Sequence, residues 1–186
     1  MDRQSRETSL PVELPTAEVR HGWLRELSPD LPIPKCIQIK HFRTGGPGGQ
    51  KRNKTSSGVR LIHRPTGLSG DASEERSQAI NLRRAVERLR LRIAFHVRCP
   101  PRVPPPTWWH QVVGTAGGLS RRDPLLAETA AILLDVMDAR GFALRESASD
   151  LQLSTARLSR LLREIPGLLN HVNSQRRMRS LKTLGG

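Results

Sequence analysis

No aspartate or glutamate occurs between Leu31 and Gly70. A pair of carboxylates for general acid–base hydrolysis has no place in that stretch, so a self-contained hydrolase of that kind is not expected there. Cysteine is equally scarce. Cys36 and Cys99 are the whole complement, neither belongs to a C-x-x-C pair, and no His/Cys cluster has zinc-like spacing. Both are read as reduced thiols that pack as small apolar residues, so no metal and no cofactor is expected. Neither a G-x-S-x-G elbow nor an H-E-x-x-H helix is present. No apolar run reaches the length of a membrane span, and no signal-peptide core follows the polar start M-D-R-Q-S-R-E-T-S. Asp2 and Glu7 also argue against a mitochondrial transit peptide.

Arginine is what the chain has in excess. Of its 31 Lys and Arg residues only five are lysines, and set against 17 Asp and Glu they leave a formal net charge of +14 and a pI near 11.5. Such an imbalance says little about fold, but it attracts nucleic acid or an anionic membrane surface. Without a membrane segment, the expected partner is nucleic acid in a cytoplasmic setting. At 186 residues and 36% hydrophobic content there is room for one domain, or for one domain plus a small helical one.

The most distinctive stretch runs from Arg43 to Ser57, R-T-G-G-P-G-G-Q-K-R-N-K-T-S-S. Four glycines and a proline between Gly45 and Gly49 exclude the interior of a helix or strand, so a loop is expected. Arg43, Lys51, Arg52 and Lys54 frame it, and Gln50 stands at its tip with an amide that both donates and accepts. A glycine-rich backbone among cations suits close approach to a polyanion. Taken alone, it also fits an anion-binding nest without catalysis.

These residues carry a resemblance. Gly48-Gly49-Gln50 is similar to the GGQ motif of class-I peptide chain release factors and related ribosome-rescue hydrolases. Gly46 and Pro47 precede it as in the family's S-G-A/P-G-G-Q, and Asn53-Lys54-Thr55 follows where the family has N-[KT]-T. Ser57, Val59-Arg60-Leu61, His63, Pro65-Thr66-Gly67 and Glu75-Arg76-Ser77-Gln78 with Asn81 continue in register, so the resemblance covers residues 35–98. Two departures stand out. Arg52 replaces an apolar residue, and the polar run Ser69 to Glu75 replaces a β-rich segment, which leaves the third strand poorly specified.

Read in order, residues 1–34 form an arm with a short helix from Ala17 to Leu27, capped by Thr16, with Val19, Trp23, Leu24 and Leu27 on one face. Residues 35–98 form an α+β domain. Ile37 to Phe42 and Ser57 to His63 alternate as strands, with Val59 and Leu61 opposite Arg60 and Ile62. Arg64 to Gly67 turns, and Leu68 to Ala72 returns as a short strand. A long helix is expected to start at Asp71 or Ser73, with Glu74 and Glu75 in its first turn. Its apolar stripe is Ala79, Leu82, Val86, Leu89, Ile93 and Val97, and its arginine face (Arg76, Arg83, Arg84, Arg88, Arg90, Arg92) is set to touch RNA phosphate. Residues 99–119 hold five prolines between Cys99 and Pro106 and read as a stiff linker. Residues 120–173 form a small all-α domain. Helices are expected over Pro124 to Ala139 (stopped by Gly141), over Glu146 to Gln152, and after a Ser154 cap. They are arranged as a helix-turn-helix or as a generic three-helix bundle. Residues 174–186 form a basic tail with Arg176, Arg177, Arg179 and Lys182.

The resemblance implies a function: hydrolysis of the peptidyl-tRNA ester in the ribosomal peptidyl transferase centre. Gly48 and Gly49 would let a thin loop enter, and the Gln50 N–H would donate to the oxyanion. Arg43, Lys51, Arg52, Lys54, Arg60, Arg76, Arg176, Arg177 and Arg179 are the expected RNA contacts. The implied partners are large-subunit ribosomal RNA and peptidyl-tRNA, and a monomer is expected. Full release factors also have a domain that reads stop codons; none is recognised here, which points to translation termination or ribosome rescue without decoding. The alternative is a nucleic-acid-binding protein of helix-turn-helix type whose GGQ region docks to the ribosome without catalysis.

Overall fold

The computed structural model describes residues 15–43, 57–114 and 119–185. Helix α1 (Ala17–Glu26) opens the described chain, its Thr16 hydroxyl accepting from the Val19 N–H at 3.3 Å. Strands β1 (Ile37–Phe42), β2 (Gly58–His63) and β3 (Ser69–Ala72) form an antiparallel sheet in the order β1-β2-β3. Helix α2 (Gln78–His96) covers one face of it. Helices α3 (Trp109–Val113), α4 (Leu126–Ala139), α5 (Leu144–Asp150), α6 (Thr155–Glu164) and α7 (Leu168–Met178) follow. The architecture is therefore α+β with an all-helical C-terminal part.

Register explains the sheet. Ile37, Ile39 and His41 pair with His63, Leu61 and Val59, so these six side chains share the inner face. Val59 and Leu61 are fully buried, whereas Ile39 stays 41% exposed because β1 is the edge that α2 leaves uncovered. β3 exists in spite of its polar sequence. A Cβ at Gly70 would meet the Ala85 carbonyl oxygen and the Leu89 nitrogen at 2.5 Å, so α2 lies directly on the strand backbone. Contact with the helix, rather than side-chain alternation, specifies this strand.

The start of α2 differs from the sequence expectation. Ser77, not Ser73 or Asp71, is the cap, and Glu74 and Glu75 lie before the helix. The buried Asn81 is the reason. Its amide donates to the carbonyls of Ser57 and Glu75 (2.8 Å each) and accepts from the Glu75 N–H (3.0 Å), which holds residues 75–77 as a turn. Glu74 and Glu75 instead pair with Arg88 (2.6 Å) and Arg84 (2.8 Å). Ala79 is exposed, while Val86, Leu89 and Ile93 are buried as the stripe requires.

One hydrophobic core runs from the inner sheet face through α2 into the C-terminal helices. Arg20 on α1 is fully buried at its centre. Its guanidinium grips Asp135 of α4 through two bonds of 2.8 and 2.5 Å and donates to the Val97 carbonyl at 2.9 Å. Asp135 also accepts from Arg98 (3.2 Å) and from the Cys99 N–H (3.1 Å). Within the stretch read as a linker, Trp109 is fully buried and its indole N–H donates to the Leu151 carbonyl at 3.0 Å. α4 is buried from Leu126 to Met137 and stops at Gly141, whose φ of +58° suits glycine; the Phe142 N–H closes the end onto the Met137 carbonyl. Ser154 caps α6, accepting from the Arg157 N–H at 3.1 Å. α7 was not anticipated: residues 174–178, read as the start of a tail, continue it, and Asn173 and Leu184 exchange hydrogen bonds that fold the following segment back.

Candidate functional site

Gly48, Gly49, Gln50, Lys51, Arg52 and Lys54 lie outside the described residues. The structure does define where their segment is anchored. Phe42 and Gly58 are the last paired residues of β1 and β2, so the two attachment points sit side by side, about 5 Å apart between α-carbons. The first turn of α2 holds both. The Gln78 amide nitrogen lies 2.9 Å from His41 Nδ1 on β1, and the Asn81 amide donates to the Ser57 carbonyl just before β2. Gln78 and Asn81 thus clamp the strand ends from the helix side. Sequence reading noted both as motif letters only; the spacing from Glu75 through Gln78 to Asn81 was the signal that could have exposed the clamp.

The described cations fall into two groups. Arg43, Arg60 and Arg76 are exposed at the sheet and the start of α2, and none of them has an acidic partner among the described residues. Arg60 lies over the Phe42 ring at 5.5 Å. Arg176, Arg177 and Arg179 are elsewhere. Arg176 donates to the Lys182 carbonyl (2.7 Å) and to Phe142, and Arg179 pairs with Asp138 (2.9 Å). Their helix meets α2 near its far end, where His171 contacts Phe95 and His96. The length of α2, about 27 Å at 1.5 Å per residue, separates that end from the clamp.

The arginine face expected on α2 is largely committed to the protein. Arg83 pairs with Asp30, Arg84 with Glu75, Arg88 with Glu74, and the buried Arg90 donates to the Pro124 carbonyl. The Arg88 hydrogen bond holds the Glu74 carboxyl below its ordinary range. Arg76 and Arg92 remain exposed without an acidic partner among the described residues.

His63 is buried and is placed for structure rather than for proton transfer. It ends β2 away from the glycine-rich segment, about 17 Å along the strand from Gly58. Burial lowers its pKa, its Nδ1 is 2.8 Å from the Thr66 hydroxyl, and Trp23 packs edge-on against it at 4.7 Å. Among the described residues no His, Cys, Asp and Glu group could hold a metal ion, and Cys36 and Cys99 are both free thiols. No described helix is long and apolar enough to cross a membrane.

The described part of this region is an antiparallel sheet backed by one helix, with the ends of β1 and β2 held together by Gln78 and Asn81. Residues 31–99 match the family model described as the RF-1 domain. The chain is 48% identical over 60 residues to peptide chain release factor 1 of Dictyoglomus thermophilum, which covers 32% of this chain and 16% of that protein. It is 49% identical over 57 residues to the protein of the same name from Caldicellulosiruptor bescii, covering 31% and 16%. It is 50% identical over 60 residues to the mitochondrial peptide chain release factor 1 of Homo sapiens, covering 32% and 14%. Over this region the chain is similar to peptide chain release factors and carries an RF-1 domain. The match spans about a sixth of the length of these relatives.

Proposed function

We propose that this chain hydrolyses the ester joining nascent peptide to transfer RNA in the ribosomal peptidyl transferase centre, as a release or rescue factor that does not decode a stop codon. The observation that carries the reading is the anchoring of the Gly48-Gly49-Gln50 segment between Phe42 and Gly58, with Asn81 and Gln78 holding the two strand ends. A tip supplied by such a frame needs no general base of its own. The ester is already activated, and the surrounding RNA makes up most of the site. Gly48 and Gly49 admit backbone angles closed to residues with a Cβ. The Gln50 N–H donates to the oxygen that becomes negative when water attacks, and its side chain shapes the water site. Preorganised donors of this kind contribute about 10²–10³ in rate. Arg43, Lys51, Arg52, Lys54, Arg60 and Arg76 position the domain on RNA phosphate without taking part in the reaction.

Codon independence rests on which domains are recognised. The family's decoding domain uses a P-x-T or S-P-F tripeptide and precedes the GGQ domain. Here Pro105-Pro106-Thr107 has the first spelling, but it follows the GGQ domain. Pro106 is buried and its carbonyl accepts from the Trp109 N–H at 2.9 Å, so the tripeptide starts α3 rather than displaying a reading loop.

The test adds purified full-length chain to ribosomes carrying labelled peptidyl-tRNA, with and without a stop codon in the A site. Peptide release at similar rates in both is the expected outcome. No release from either, or release only with the stop codon, overturns the reading. A second reading, duplex binding by the helix-turn-helix of α5 and α6, is favoured by the exposed Arg160 and Arg163 on α6. It requires salt-sensitive duplex binding that Arg163→Glu weakens.

A further inference from the structure

The sheet has a second face, of which the reading above uses only Arg60 as a phosphate contact. Gln38, Lys40 and Phe42 pair in register with Ile62, Arg60 and Gly58, so these side chains project from the face opposite α2. The Trp23 ring is on the α2 side with His63. Lys40 and Arg60 stand directly opposite each other, both exposed, and Arg43 follows at the end of β1. Like charges side by side on a sheet are unfavourable, and nothing among the described residues neutralises them. Asp71 is the one acid on this face; it lies across from Arg60 in register but makes no ion pair with it.

Phe42 completes the arrangement. A Cβ at Gly58 would meet the Phe42 ring at 2.8 Å, so the ring lies across the bare glycine instead of standing up from the sheet. It is half-buried, with the Arg60 guanidinium 5.5 Å from its centre. An aromatic ring with a guanidinium over it, and a second cation next to it, has the components of a base-stacking platform. Stacking supplies sequence-tolerant affinity and the cations track the backbone.

We propose that this uncovered face, built on Phe42, Arg60 and Lys40, docks an unpaired stretch of RNA, with one base stacked on the Phe42–Arg60 pair and adjacent phosphates held by Lys40 and Arg43. The inference deepens the ribosomal reading and rests on it only for the source of the RNA. The face lies next to the strand ends that carry the glycine-rich segment, so docking there fixes that segment's approach. The charge on the face selects a polyanion over an apolar partner.

The experiment measures binding of full-length protein to a short fluorescein-labelled oligouridylate by anisotropy across a salt series, alongside peptide release from stalled ribosomes. Removing two phosphate contacts with Lys40→Gln/Arg43→Gln is expected to flatten the plot of log affinity against log salt by about 1.4. Phe42→Leu keeps apolar cover over Gly58 but removes the aromatic plane, and is expected to weaken binding by about fivefold to a hundredfold. Phe42→Trp restores it. Arg121→Gln/Arg122→Gln removes the same charge before α4 and leaves the Phe42-dependent term intact. Unchanged affinity and salt slope in the Lys40/Arg43 variant, or equal binding by Phe42→Leu and wild type at matched thermal stability, overturns the proposal even if release is intact. Release absent from wild type, with RNA binding that still depends on Phe42 and on Lys40 with Arg43, overturns the hydrolase reading and leaves this one standing.

Discussion

The sheet and the C-terminal helices handle charge in opposite ways. The sheet leaves one face and the β1 edge uncovered, and sets Lys40, Arg43 and Arg60 there without acidic partners among the described residues. The C-terminal helices compensate several of theirs: Asp135 is buried between Arg20 and Arg98, Glu128 is buried against His21, and Glu164 joins Arg157 and Arg160. Unneutralised charge on a small domain costs stability and is kept where a polyanion will meet it. Internally compensated charge fixes one element against another. On the proposal above the sheet is the contact surface and the helices hold its shape, with Arg20 and Asp135 as the tie between them.

Breaking that tie should have the largest effect. Asp135→Ala leaves the Arg20 guanidinium buried without a counter-charge and should destabilise the protein by about 3–5 kcal/mol in urea denaturation. A loss under 1 kcal/mol would mean that the helices are not coupled to α1 through this pair. Gly70→Ala tests the seat of the sheet on α2. Its Cβ has backbone atoms at 2.5 Å on the helix side and no flexible side chain to displace, so a loss of about 1–3 kcal/mol or more is expected. Asn81→Ala removes three hydrogen bonds at a buried position and should cost about 1–3 kcal/mol. Because it frees the Ser57 end, it should also slow peptide release at saturating protein, which Gly70→Ala would not do once folded. Equal release by the two variants would separate the clamp from function.

The smallest effect concerns acid. His96 and His171 meet edge-to-face where α2 touches α7. Burial, then Arg92 and Arg98, lowers the pKa of His96; burial, then His96 and Arg98, lowers that of His171. Their folded values lie below the ordinary 6.5, so near that pH the unfolded chain binds more protons than the folded one. Stability should therefore rise with pH through this window and fall on acidification from about pH 7.5 to about pH 5.5. His171→Asn should flatten the dependence; an unchanged slope would place the proton uptake elsewhere.

Much of the sheet was legible because the residues that specify it lie close in sequence. Alternation in β2, the Thr16 and Ser154 caps and the Gly141 stop are local signals, and each is found in the fold. What was missed depends on distant partners. Arg20 reads as a solvent-facing residue until Asp135, 115 positions away, is brought to it. β3 has no apolar alternation because Gly70 serves a helix backbone. Glu74 and Glu75 mimic helix-start acids, while the residue that sets the start, Asn81, acts from inside the helix. α7 carries Asn170, His171, Asn173 and Ser174, which are indifferent helix formers; burial of Leu168 and Val172 stabilises it instead. At the candidate site the motif was plain, and the clamp behind it became visible only through the hydrogen bonds of Gln78 and Asn81.

The most direct test is single-turnover peptide release at saturating protein for wild type and Gly49→Ala on the same stalled ribosomes, with ribosome affinity measured in parallel. The account predicts a rate lower by about 10²–10³ with affinity unchanged. Equal rates, or a loss that merely follows weakened binding, would contradict it.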